Sequence, residues 1–205
     1  RSNGAITVVF ANSKGGVGKS TVAFMSCLSL AIKEPDSLVE FIDLDRQATS
    51  SDSLQRFANG KFKLVSDPEF TLASGGSNNA RIYQYLQSDF GYSAKKERRF
   101  VFFDTPAGTA PAECAFMLDA NYLLVPTSAS DADLLATKKF LSRLFDPNPQ
   151  INNEGIAGGL PTVVVIPNLL DDRSEILRIY RTLREFPCFL GHPIFYSKIF
   201  RNTFS

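Results

Sequence analysis

Five short runs of this sequence are almost continuously apolar: "AITVVFA" at 5–11, "LVEFIDL" at 38–44, "RFVFFD" at 99–104, "NYLLVP" at 121–126 and "PTVVVIP" at 161–167. A strand with one wet face alternates polar and apolar residues, so runs without alternation predict strands of a sheet covered on both faces. The segments between them carry a helical period. Residues 21–32, 80–90, 133–145 and 172–186 repeat apolar side chains every three or four positions, as at Ile82, Tyr85, Leu86 and Phe90. The last of these opens with Asp172 and Glu175 at the spacing of a capping box. Strands alternating with helices make βαβ units. The expected fold class is therefore α/β, a three-layer α/β/α sandwich around a mainly parallel, doubly wound sheet.

With 205 residues, 44% hydrophobic and 21% charged, the chain suits a single domain spanning 1–205 with a core of its own. Lys and Arg total 22 against 21 Asp and Glu, so a nucleic-acid partner would have to be held by a local patch rather than by net charge. The apolar runs are far shorter than the roughly 20 residues that span a bilayer. The stretch "RSNGAITVVF" enters the first strand directly, without signal-peptide architecture, and reads as a trimmed or tagged end. Cys27, Cys114 and Cys188 are widely spaced in apolar surroundings, which suits buried thiols in a reducing cytoplasm better than a disulfide framework or a metal cage.

In a doubly wound sheet, ligands sit beyond the carboxyl ends of the strands. The stretches placed there are "NSKGGVGKS", "DLDRQATSS", "DTPAGTAP", "PTSASDAD" and "PNLLDDR". The first nearly fits the phosphate-loop pattern G-x-x-x-x-G-K-[ST], but Ser13 stands where the first glycine belongs, and an extra lysine, Lys14, follows it. Gly15, Gly16 and Gly18 let the backbone curl so that successive N–H groups, with that of Val17 among them, face phosphate oxygens. A helix starting near Lys19 aims the positive end of its dipole at the same place. Lys19 adds charge at the β- and γ-phosphates, Ser20 offers a hydroxyl to Mg²⁺, and Thr21 completes G-K-S-T.

The segment "KGGVGKST" resembles the deviant phosphate loop of the ParA/MinD family of ATPases, whose signature is the early lysine. The likeness extends over nearly the whole chain: "FIDLDRQATSS" is similar to the family's switch I, "VFFDTPAG" to its Walker B and switch II, and "VIPNLLDDR" to the strand and loop that meet the adenine. The resemblance implies a P-loop NTPase that binds ATP with Mg²⁺ and forms a homodimer on binding it. Lys14 then reaches across to the phosphates held by the partner subunit, and a cation supplied in trans acts like an arginine finger. By the same likeness Asp45 orients the attacking water, with Asp43 a supporting group. Asp104 holds Mg²⁺ through a water molecule, and Gly108 senses the γ-phosphate through its N–H. Arg46 departs from the proline common in the family, while Gln47 keeps the usual residue. Asn168 has two readings, a contact to the adenine edge or a plain turn residue.

Arg178, Arg181 and Arg184 repeat along the last helix, opposite Ile176, Leu177, Tyr180 and Leu183, and Lys198 and Arg201 follow. A charged stripe is ordinarily a solvated face. The resemblance adds nonspecific DNA as a partner in the ATP state, with nucleoid association, and a partner protein that stimulates hydrolysis. "KKERR" at 95–99 reads as a solvated turn. Three functions stay open on the sequence: a partition-type ATPase that segregates DNA or positions a protein cargo, a MinD-like ATPase working on a membrane, and an ATP-using ligase of the dethiobiotin-synthetase group. The family continues with another helix where this chain stops, which gives the expectation that a C-terminal helix is missing.

Overall fold

The structure, a computed structural model, describes residues 4–44, 62–65, 79–88, 98–111, 115–146 and 159–197. All five apolar runs are strands: β1 (Ala5–Phe10), β2 (Leu38–Asp43), β4 (Arg99–Asp104), β5 (Tyr122–Thr127) and β6 (Thr162–Pro167). Two further strands, β3 (Lys63–Val65) and β7 (Phe189–Leu190), flank them. The sheet runs β3-β2-β4-β1-β5-β6-β7 with every neighbouring pair parallel. The fold is thus the expected three-layer α/β/α sandwich. The two edge strands were not legible as strands, because two or three residues are too few to show a period.

Helices α1 (Lys19–Lys33), α2 (Asn79–Gln87), α3 (Ala115–Leu118), α4 (Asp131–Leu144) and α5 (Ser174–Leu183) cover both faces. Val8, Phe10, Phe41 and Phe102 pack under α1 against Val22, Phe24 and Cys27. Their chain neighbours Val9, Ile42, Val101 and Phe103 point the other way, into a cluster with Ile82, Phe116, Phe140, Leu141, Ile179 and Leu183. Successive strand side chains alternate between two apolar layers, which is why the sequence itself does not alternate. Phe10 and Phe102 stack at 6.1 Å on one face, and Phe103 meets Phe116 at 5.2 Å on the other.

Helix α4 begins two residues earlier than its periodicity suggested, because Ser130 caps it by accepting from the Asp133 N–H at 3.2 Å, with Asp131 in the first turn. At α5, the Asp172 carboxylate accepts from the Ser174 N–H at 2.6 Å, and Glu175 accepts from the Asp171 N–H at 2.7 Å. The Ser174 bonds hold the Asp172 carboxyl below its ordinary range. The helix itself spans Ser174–Leu183 with Arg173 at its N-cap and no side-chain capping bond, so Asp172 and Glu175 act at this end but do not form the reciprocal pair their spacing suggests.

One interior group was missed. Glu40, in the middle of β2, is fully buried and takes Arg99 Nε at 2.7 Å, the Tyr85 hydroxyl at 2.7 Å and Lys63 Nζ at 3.2 Å. Arg99 is therefore no solvated turn residue but the buried start of β4, and it also donates to the Leu86 carbonyl at 3.2 Å. Burial and the Glu40 hydrogen bond raise the Tyr85 hydroxyl well above its ordinary pKa. The available signal was a lone carboxylate inside an apolar strand, which needs partners. Among the described residues, no helix is long and apolar enough to cross a membrane.

Candidate functional site

The carboxyl end of β1 leads into the glycine-rich loop and then into α1. Gly16 and Gly18 adopt φ of +80° and +81°, conformations that L side chains rarely take. Gly18 is also sterically required, since a Cβ there would lie 2.3 Å from Asn168 Nδ2. It stands at the N-cap of α1 with no side-chain capping bond, and no acidic residue occupies the first turn. The positive helix end is thus left open toward the loop, which fits an anionic phosphate chain.

The two lysines are separated by this geometry. Lys19 is buried and turns back into its own loop, donating from Nζ to the Lys14 carbonyl at 3.1 Å. Lys14 is exposed at the rim. Its backbone N–H donates to Asn12 Oδ1 at 3.1 Å, and the Asn12 amide nitrogen donates to the Pro126 carbonyl at 2.9 Å and to Thr137 Oγ1 at 2.8 Å. Asn12 and Thr137 are fully buried, and Thr137 donates onward to Thr127 Oγ1 at 2.9 Å. Nothing in the sequence alone had pointed to a role for these residues.

Three strand ends lie side by side here, with Asp104 paired in register with Phe10 of β1 and with Asp43 of β2. Asp104 is fully buried and Asp43 nearly so. The segment after Asp104 is fastened to β1 and the loop: Thr105 Oγ1 donates to the Phe10 carbonyl at 2.8 Å, and the Gly108 N–H to the Ser13 carbonyl at 3.0 Å. Gly108 has φ +86°. In this geometry its N–H is engaged by the phosphate loop itself. Ser20 is half-buried in the first turn of α1. A hydroxyl and a buried carboxylate on adjoining elements are donors of the kind Mg²⁺ takes. Asp45, with Arg46 and Gln47, lies outside the described residues.

Asn168 follows β6 and is buried; its Nδ2 donates to the Val17 carbonyl at 2.9 Å. The structure therefore gives its amide nitrogen to the loop, whichever role its oxygen serves. Beside it opens a cavity of about 780 Å³, lined by Gly18, Thr21 and Met25 on one side and by Asn168, Leu169 and Tyr196 on the other. An apolar cleft of this size next to a phosphate loop has room for a nucleotide base and sugar.

Arg178 and Arg181 on α5 and Arg184 at its C-cap are all exposed, and Arg178 pairs with Asp131 at the start of α4. Leu177 and Tyr180, expected on the apolar side, are exposed as well. Of the expected apolar side, Leu183 is buried and Ile176 packs partly against the core, while Ile179, not expected there, is fully buried, because the helix rests on α4 and the sheet along a stripe turned toward Ile179. Lys198 and Arg201 lie outside the described residues, as does Cys114. Cys27 is buried as expected, which raises its thiol to about 12, while Cys188 is half-buried.

Residues 8–202 match the model of the CobQ/CobB/MinD/ParA nucleotide binding domain. The maintenance of carboxysome distribution protein A of Gloeobacter kilaueensis is 30% identical over 181 residues, covering 87% of this chain and 70% of that protein. Among solved structures, a Cyanothece McdA variant in complex with ATP superposes with a TM-score of 0.66 at 18% identity, over 98% of this chain and 87% of the other. The structure of pNOB8 ParA bound to nonspecific DNA gives 0.55 at 16% identity, over 96% and 86%. These two share the fold.

Proposed function

The chain belongs to the CobQ/CobB/MinD/ParA family of nucleotide-binding domains, and from that premise we propose that it is a ParA-type ATPase, a switch that dimerises on binding ATP and hydrolyses it to position a cargo. The observation that carries this reading is the division of labour between the two lysines. Lys19 is buried and turned into its own loop, whereas Lys14 stands exposed at the rim with its backbone fixed. A cation so placed can serve a site facing the loop better than its own.

In this reading the amides of residues 15 to 18, the start of α1 and Lys19 bind the phosphate chain, and Ser20 and Asp104 hold Mg²⁺. Bound there, the ion would supply positive charge against the charge that develops during phosphoryl transfer. Asp45 orients the attacking water. Lys14 of the second subunit stabilises the transferring phosphoryl group, so hydrolysis waits for dimerisation. Gly108 must leave the Ser13 carbonyl before its N–H can meet a γ-phosphate, which makes the segment after Asp104 responsive to the nucleotide. Asn168 and Tyr196 border the space for the base. Arg178, Arg181 and Arg184, with Arg201, supply phosphate contacts to nonspecific DNA. A partner protein stimulates turnover. The name of the Gloeobacter relative favours a protein cargo, and the DNA-bound relative favours nucleoid DNA as the surface on which the switch works.

Complementation between variants tests the shared site. Lys14→Gln is expected to bind ATP yet lose stable ATP-dependent dimerisation, associating only at high protein concentration, and to lose turnover with it. Mixed with Asp45→Ala subunits, it forms heterodimers in which one composite site keeps both Asp45 and an incoming Lys14, so partial turnover returns. No recovery, in a mixture shown by crosslinking to contain heterodimers, overturns the reading.

A further inference from the structure

Asn12 is fully buried, and its side-chain amide is bonded at both ends. Its orientation is fixed by chemistry: the Pro126 carbonyl can only accept and the Lys14 N–H can only donate, so the amide nitrogen faces β5 and the oxygen faces the loop. The two N–H groups bind it to the carboxyl end of strand β5 and, through Thr137, to the middle of α4. The oxygen holds the peptide N–H from which the Lys14 side chain starts.

We propose that Asn12 is a positioning residue for Lys14, fixing the origin of that side chain against the rigid β5–α4 frame so that its ammonium is presented outward to the facing subunit. The peptide groups on either side of Lys14 are held differently. Its carbonyl is held by the Lys19 ammonium, its N–H by Asn12. A phosphate chain in the loop draws the Lys19 ammonium away from that carbonyl, and the Asn12 bond is then the tether that persists. Fixing the root of a long side chain lowers the entropy lost when its tip engages. Support from a helix rather than a loop makes that root reproducible.

The inference rests on the trans role given to Lys14, and a double-mutant cycle separates the two claims. Full-length chains carrying Asn12→Ala, Lys14→Gln and both changes are compared by light scattering with ATP and Mg²⁺, and by ADP titration calorimetry. The expected result for Asn12→Ala is a dimer dissociation constant raised by roughly three- to tenfold, as for one lost hydrogen bond. ADP affinity, which reads the loop amides and Lys19, falls by less. The double variant dimerises no worse than Lys14→Gln alone, because Asn12 acts through that lysine. Thr137→Val removes the helix anchor while keeping the amide and gives the same split to a smaller degree, which covers an Asn12→Ala chain that folds poorly. Additive losses in the double variant, or ADP affinity and dimerisation falling in equal measure, overturn the positioning role. If Lys14→Gln loses dimerisation and Asn12→Ala keeps it, this inference falls alone. If Lys14→Gln dimerises normally, the shared-site reading falls first.

Discussion

Lys19 Nζ donates to the backbone carbonyl of Lys14 at 3.1 Å, so the buried lysine of the loop is tied to the peptide of the exposed one. An ammonium bonded to a neutral carbonyl is poised to exchange it for an anionic phosphate oxygen, where both partners of the hydrogen bond carry charge.

Lys19→Ala removes that charge. Nucleotide affinity is expected to fall by roughly a hundredfold or more, the scale of a lost charge-assisted bond in a shielded site. Titration calorimetry with ATP and Mg²⁺ measures it, and undiminished affinity would defeat the phosphate-loop assignment.

Asp45→Ala separates binding from chemistry. Without the carboxylate that orients water, ATP still binds while turnover drops by about 10²-fold or more, the scale of general-base assistance. The variant then accumulates as a dimer in light scattering. A monomer that hydrolyses normally gives Asp45 another job.

Arg178→Glu combined with Arg181→Glu is expected to weaken DNA retention in the ATP state. The slope of log affinity against log salt falls by roughly 0.9 for each phosphate no longer neutralised. The Asp131 carboxylate competes for Arg178, so Asp131→Asn strengthens retention. Anionic liposomes run in parallel report membrane binding. An unchanged salt slope makes the stripe a solvated face.

Gly18→Ala tests the fit of loop and base-side wall. The residue would carry a left-handed φ, costing about 1–2 kcal/mol, and its Cβ would fall 2.3 Å from Asn168 Nδ2. Thermal melting should show destabilisation, with Asn168→Ala in the same chain restoring part of it. Full recovery would mean that φ contributes nothing; no recovery, that the clash with Asn168 is not the cause.

Cys27 ties stability to alkaline pH. Burial raises its thiol from 9.0 to about 12, so the folded chain keeps a proton that the unfolded chain releases. Its contribution is complete below pH 9 and is lost as pH rises toward 12. Denaturant titrations across that range should show stability falling less steeply for Cys27→Ala than for the parent.

Much of this was legible in the sequence because the signals are local. Each of the five central strands is a contiguous apolar run, and the loop from Ser13 to Thr21 keeps its residues within a few positions of each other. What stayed hidden depends on distant partners. Asn12 reads as the last letter before a motif until Pro126 and Thr137 are beside it, and Arg99 reads as one more charge in "KKERR" until Glu40 lies opposite. The burial of α5 was misjudged at Leu177 and Tyr180, since a helical period gives the existence of an apolar stripe and not the width that the neighbouring helix will cover.

The sheet also governs how the chain reaches this state. Ala5 pairs with Arg99 and Val8 with Tyr122, and every ladder among the described residues is parallel, so these strands offer no hairpin on which to nucleate. The central strand is synthesised before both strands that pair with it, so its edges stay unsatisfied until the chain has been made well past Tyr122. During that interval "AITVVF" presents bare strand edges to any other nascent copy, the circumstance in which non-local topologies fold slowly and aggregate. Refolding yield should therefore depend steeply on protein concentration, even where the finished fold is stable.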